Sequence, residues 1–71
     1  MDIQRLVTMA NQIGDFYESY PNQSHAQQDI AGHLNKFWAL PMRKQIAEYV
    51  QQDAAGLHVQ VASAIKSHLQ V

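Results

Sequence analysis

Hydrophobic residues in the first part of the chain recur at the spacing of an α-helix. On a helical wheel the apolar residues occupy one side and the polar residues the other. Asp2 is a residue type that caps helix N-termini, and Pro21 and Asn22 are typical of a helix end. The pattern therefore predicts a helix over residues 2–19. Its apolar side consists of Ile3, Leu6, Val7, Met9, Ala10, Ile13, Phe16, Tyr17 and Tyr20.

The apolar side of this helix covers an arc of about 180°, wider than the stripe of roughly 100° that one-sided packing needs. For most of the arc we favour packing against two neighbouring helices. The alternative is that one shoulder, formed by Met9, Phe16 and Tyr20, contacts another protein.

Three more helices follow from the same kind of pattern. Ser24 and Gln27 fit a capping box at the start of a helix over residues 25–38. Pro41 suits the first turn of a helix over 41–53, and Gly56 lies where a helix often ends, before a last helix over 57–70. With connections this short, adjacent helices should pack antiparallel. The sequence predicts an all-α fold, a small bundle of four short helices in a single domain over residues 1–71.

The junction between the second and third helices is an unbroken apolar run, residues 37–42 (FWALPM), with basic residues on both sides. Trp, Tyr and Arg carry most of the binding energy in protein interfaces. We expect Phe37 and Met42 to fold inward, leaving Trp38, Leu40 and Arg43 available to a partner. The alternative is that the run mainly closes the bundle, with Trp38 half exposed.

Size and composition also favour a partner protein. The chain has 71 residues and no cysteine, which excludes disulfides and cysteine-bound iron–sulfur clusters. A domain of this length buries only about 60% of the surface of its unfolded chain. The net charge of −1 argues against nucleic acid. No stretch approaches the roughly 20 apolar residues of a membrane span, and the N-terminus lacks a signal peptide pattern, so we expect a cytoplasmic protein.

Metal binding and catalysis have weak signals. His25, Asp29 and His33 are spaced four apart, so they share a helix face and could hold a metal ion. We favour the alternative that this is an ordinary solvated face. Gly14, Gly32 and Gly56 are too far apart to form a phosphate-binding loop, and the serines lie on polar faces or at caps. We expect a protein that is not an enzyme by itself and binds no cofactor.

Several motifs resemble one family over nearly the whole chain. They are residues 6–14 (LVTMANQIG), the pair Phe16-Tyr17, residues 29–34 (DIAGHL), Lys36-Phe37-Trp38, Met42-Arg43 and Gly56-Leu57. In sequence and spacing they resemble the delta subunit of soluble NAD-dependent, molybdenum-containing formate dehydrogenases. Two positions depart from that family's pattern. Leu40 replaces a proline that here comes one residue later, at Pro41, and no proline follows Gly56-Leu57 closely.

The resemblance implies a non-catalytic accessory subunit. In that family the delta chain carries no redox centre. It accompanies a large catalytic subunit with the molybdenum cofactor and iron–sulfur clusters, and other subunits handle FMN and NAD. The resemblance implies that this chain stabilises or helps to assemble such a complex by binding its catalytic subunit. The alternatives are a transient assembly chaperone for that subunit, or a helical homodimeric or metal-binding module.

Overall fold

The computed structural model describes residues 2–71 and contains four α-helices in this range. They are α1 (Ile3–Phe16), α2 (Gln23–Phe37), α3 (Leu40–Gln52) and α4 (Val59–His68). No strand occurs in the described residues. The predicted all-α bundle of four short helices is therefore confirmed, while the first residue of the predicted 1–71 domain lies outside the described part.

Helix α1 begins at Ile3, directly after the predicted cap Asp2, and ends at Phe16, three residues before the predicted end. The Asp2 side chain caps it by accepting a hydrogen bond from the Gln4 N–H at 3.1 Å. At the other end the Tyr17 N–H donates to the Gly14 carbonyl, three residues back, at 3.0 Å. Such a bond tightens the last turn of a helix. Residues 17–19 consequently form a turn, and the predicted end at residue 19 is wrong.

Helix α2 is capped by a different residue from the one predicted. The Asn22 side chain accepts a hydrogen bond from the His25 N–H at 2.9 Å, so the helix begins at Gln23. The predicted capping box is wrong because Asn is as good an N-cap as Ser and precedes Ser24. Gln27 instead donates to the Gln60 side chain on α4 at 2.8 Å.

The loop between α3 and α4 is longer than predicted. Helix α3 ends at Gln52, and Ala54 (φ 59°) and Gly56 (φ 82°) both adopt left-handed conformations after it. Asn11 of α1 holds this loop, because its side chain donates to the Gly56 carbonyl at 2.8 Å and accepts from the His58 N–H at 3.0 Å. With residues 57 and 58 fixed outside the helix, α4 starts at Val59 instead of residue 57. It also ends at His68, two residues before the predicted end.

Helix α4 contacts all three other helices, and α1 also packs against α3. The closest neighbour of α4 is α2, whereas α1 and α2 approach each other only weakly. Gly14 of α1 makes a close approach to α4 possible, since a Cβ atom at this position would overlap with Cγ2 of the buried Val61. The main core consists of Leu6, Val7, Ala10, Leu34, Trp38, Ile46, Val50, Val61 and Ile65. A smaller cluster joins Ile30, Ala31 and Ala64.

Candidate partner-binding site

The weak approach of α1 and α2 leaves an open groove between them. The groove has a volume of about 430 Å³. Its lining is mainly apolar and aromatic, and its polar side chains, Gln12 and His33, carry no formal charge when the histidine is neutral. We call it the α1–α2 groove; it is lined by Met9, Gln12, Ile13, Phe16, Tyr17, His33 and Trp38.

Two exposed phenylalanines stand beside the groove. Phe16 is 76% exposed and Phe37 is 69% exposed. The Phe16 ring packs edge-on against Tyr17, with centroids 5.3 Å apart, and the Phe37 ring lies 4.8 Å from His33. Large apolar side chains that flank an apolar groove in this way are typical of a protein-binding surface.

The structure reverses the expected roles of Phe37 and Trp38. Trp38 is only 5% exposed and belongs to the main core, so the expectation that it is available to a partner while Phe37 is buried is wrong. The reason is local backbone geometry. Trp38 follows the last residue of α2 in an extended conformation (φ −89°, ψ 133°), so its side chain leaves the helical wheel and turns into the core. Phe37 stays on the helix, at the edge of its apolar side.

We expected Arg43 to be available to a partner, but its side chain forms hydrogen bonds within the chain. Its guanidinium donates to the carbonyl oxygens of Trp38 at 2.6 Å, Asn35 at 3.3 Å and Gln70 at 2.9 Å. Asn35 also accepts from the Gln70 N–H and donates to the His68 carbonyl. Arg43 therefore fixes the α2–α3 junction and, with Asn35, the C-terminal segment.

Of the six predicted partner-binding residues, the structure brings Met9, Phe16 and Trp38 together in the groove. Leu40 is 42% exposed at the start of α3, outside the groove. Tyr20 also lies outside it, although its ring packs against Tyr17 at 4.9 Å.

Sequence reasoning missed the α2 side of the groove. His33 was considered only as a metal ligand, and Phe37 only as a core residue. His33 and Phe37 are four residues apart, so their rings lie side by side on one face of α2. This spacing is the signal that could have identified them.

Tyr17 connects the groove to two shallow depressions that contain acidic residues. One is lined by Asp15 and Glu18, and the other by Asp29. Partial burial raises the pKa of the Tyr17 hydroxyl, and the nearby Tyr20 and Asp29 raise it further because a phenolate would be repelled by negative charge. The environment of Tyr17 thus disfavours additional negative charge.

The predicted metal-binding alternative does not form a site. Within residues 2–71 no group of three or more His, Asp or Glu side chains is arranged to hold a metal ion. The His25 ring instead lies 6.4 Å from the Tyr20 ring, and His33 contacts Phe37. The two histidines thus contact aromatic rings at different places along α2.

None of the helices in the described part of the chain combines the length and the apolar character that crossing a membrane would require.

Comparison with known proteins identifies a family for this chain. The family model described as NADH-dependent formate dehydrogenase delta subunit FdsD matches residues 5–65. No curated protein and no solved structure matches the chain. The matched segment covers most of the 71 residues and includes every residue that lines the α1–α2 groove. The chain belongs to the family of formate dehydrogenase delta subunits.

Proposed function

We propose that this delta subunit is a non-catalytic accessory subunit that binds the catalytic subunit of an NAD-dependent molybdenum formate dehydrogenase. By binding it, the chain stabilises the complex or helps to assemble it. The observation that carries the proposal is the family match together with an open, apolar α1–α2 groove in a domain of only 71 residues.

The physical argument is one of exposed apolar surface. A chain this short needs most of its apolar side chains for its own core. Nevertheless, Phe16 and Phe37 are largely outside the core and flank the open α1–α2 groove. Covering this surface with a partner removes apolar area from water, which favours association by roughly 25 cal/mol for each Å² buried.

The redox chemistry would belong to the partners. The molybdenum cofactor, iron–sulfur clusters, FMN and NAD of such a complex would be held by other subunits, in the cytoplasm, and this chain would contact the protein around them. Formate oxidation would depend on the delta chain through the integrity or maturation of the catalytic subunit.

Affinity purification of the tagged chain from cells grown on formate tests the proposal. We expect the large catalytic subunit to co-elute at near-equal stoichiometry. A Phe16→Ala/Phe37→Ala variant should lose the large subunit, whereas Val71→Ala, which alters another exposed apolar residue, should retain it. Leu40→Ala would show whether the α2–α3 junction also contributes.

Other outcomes would support different functions. Recovery of the large subunit only before cofactor insertion, and not in the active enzyme, would indicate a transient assembly chaperone. Recovery of the chain only with copies of itself would indicate a homodimer and contradict the proposal.

A further inference from the structure

The α1–α2 groove is mainly apolar, and carboxylates lie beside its Tyr17 end. At the Tyr17 end lie three carboxylates, those of Asp15, Glu18 and Asp29. The Asp15 carboxylate is 3.3 Å from Nδ1 of His58, whereas Glu18 and Asp29 form no salt bridge within residues 2–71. This end therefore offers negative charge that the fold itself does not neutralise.

Basic side chains lie further along both helices. Lys36 lies two helical turns along α2 from Asp29, about 10 Å away, and lines the same depression as Asp29 and Phe37. On α1, Arg5 lies one turn before Met9, and residues four apart share a helix face. Along the two helices, Glu18 and Asp29 thus lie towards the Tyr17 end, and Arg5 and Lys36 lie further towards the start of α1 and the end of α2.

A segment bound in such a groove satisfies its backbone hydrogen bonds best as a helix. Because residues 2–71 contain no strand, an extended segment would find no sheet edge for its backbone hydrogen bonds. A helix satisfies its own backbone and can place an apolar stripe between two other helices. Its N-terminus carries partial positive charge, which is favoured beside carboxylates.

We propose that the groove binds an amphipathic helix of the large partner subunit in a defined orientation. The apolar stripe of that helix fills the space between α1 and α2, and its N-terminal end, carrying Lys or Arg, lies beside Glu18 and Asp29. The span from Arg5 to Glu18 corresponds to a helix of about 13 residues, roughly 20 Å long. This inference rests on the proposed function, since it specifies the chemistry of the partner segment.

Site-specific photocrosslinking in the native complex tests the inference. A photoreactive phenylalanine analogue replaces Gln12, which lines the groove and is exposed. The matched control replaces Gln51 of α3, which lies in a separate depression and shares no neighbour with the groove. We expect the probe at position 12 to label a large-subunit segment with helical apolar spacing and basic residues, and the probe at position 51 to leave this segment unlabelled.

The outcomes separate the two proposals. Co-purification of the large subunit with labelling of an acidic segment, of another copy of this chain, or of nothing at position 12 overturns the inference and leaves the accessory role intact. Failure to co-purify any large subunit overturns the accessory role, and the inference with it.

A charge reversal adds a quantitative test. Glu18→Lys should weaken binding of the large subunit by roughly tenfold, with a smaller difference at high salt. The control Glu48→Lys reverses an exposed carboxylate on α3 and should leave binding unchanged. Because a lysine after the end of α1 is compatible with the helix dipole, Glu18→Lys should not unfold the chain. Equal affinities of the two variants would overturn the proposed orientation.

Discussion

The two sides of α2 show how differently this small chain treats its apolar residues. Towards α4, Ile30 and Ala31 are almost completely buried against Ala64. Towards α1, the groove remains open and Phe37 is 69% exposed. One side of the helix stabilises the fold, and the other remains open, where we propose that a partner binds. Substitutions on the two sides should therefore separate folding stability from binding, although the residues involved can be direct neighbours in sequence.

The strongest test of this difference uses the adjacent residues Trp38 and Phe37. Trp38→Ala removes a core side chain and should lower the free energy of unfolding by about 3–5 kcal/mol. For a domain of this size that is a large share of a total of roughly 4–10 kcal/mol. Phe37→Ala should change the free energy of unfolding by no more than about 0.5 kcal/mol. Urea denaturation followed by circular dichroism measures both.

Binding measurements complete this comparison. Phe37→Ala should weaken association with the large subunit while the isolated chain stays folded. If Trp38→Ala instead remained fully folded and lost only binding, the division of roles between the two side chains would be reversed.

A second prediction concerns the close approach of α1 and α4. In Gly14→Ala the new Cβ atom meets Cγ2 of Val61, which is fully buried and has little space to move. We expect a net destabilisation of about 1–2 kcal/mol, because overpacking outweighs the gain of up to about 1 kcal/mol from better helix propensity. Gly32→Ala is the matched control. Apart from its chain neighbours and the backbone of its own helix, no atom lies within 4 Å of its added Cβ, so Gly32→Ala should stabilise the chain slightly.

A double-mutant cycle identifies the cause of this effect. With Val61→Ala in place, the clash is removed and Gly14→Ala should cost much less than in the original chain. Equal costs in both backgrounds would mean that Val61 is not what makes a glycine necessary at position 14.

The sequence predicted the helices well because each has a clear apolar periodicity, and the groove only in part. Met9 and Phe16 were identified from the width of the apolar arc of α1. Trp38 was misplaced because the expectation rested on the composition of the α2–α3 junction, which does not show which of its side chains turns into the core. Helix periodicity also cannot show which helices pack together. The groove exists because α2 packs on α4 more closely than on α1, and this tertiary preference has no local signature in the sequence.

A third prediction tests whether Arg43 has a structural role. Arg43→Lys keeps the positive charge but cannot reproduce the set of bonds to three carbonyl groups. We expect a loss of about 1–2 kcal/mol in the free energy of unfolding. Hydrogen exchange at the Gln70 amide should become faster, since the C-terminal segment would lose one of its anchors. Unchanged exchange together with weaker binding of the large subunit would instead support the original prediction that Arg43 contacts a partner.

The smallest expected effect concerns Tyr17, which contacts both the buried side and the open side of α2. It packs against the cluster of Ile30, Ala31 and Ala64 and also lines the groove. Because the pKa of Tyr17 is raised in the folded chain, its contribution to stability is complete below pH 10, the usual tyrosine value, and is lost as the pH rises through the higher folded value. Tyr17→Phe should therefore leave the free energy of unfolding nearly unchanged at neutral pH. In alkali, the free energy of unfolding of the variant should fall less than that of the original chain. Urea denaturation at neutral and at alkaline pH measures both.

Partner binding should also change the pKa of Tyr17. A helix in the groove would remove more water from the Tyr17 hydroxyl, so the pKa of Tyr17 should rise further in the complex, whereas positive charge placed beside Asp29 would act in the opposite direction. Phenolate absorbance, compared between the original chain and Tyr17→Phe with and without the large subunit, measures the balance. Any shift between the free and bound chain places the partner beside Tyr17. An identical titration curve in both states, for the original chain and also for Asp29→Asn, in which the opposing contribution is removed, would mean that the partner binds elsewhere and that the open side of α2 is not its site.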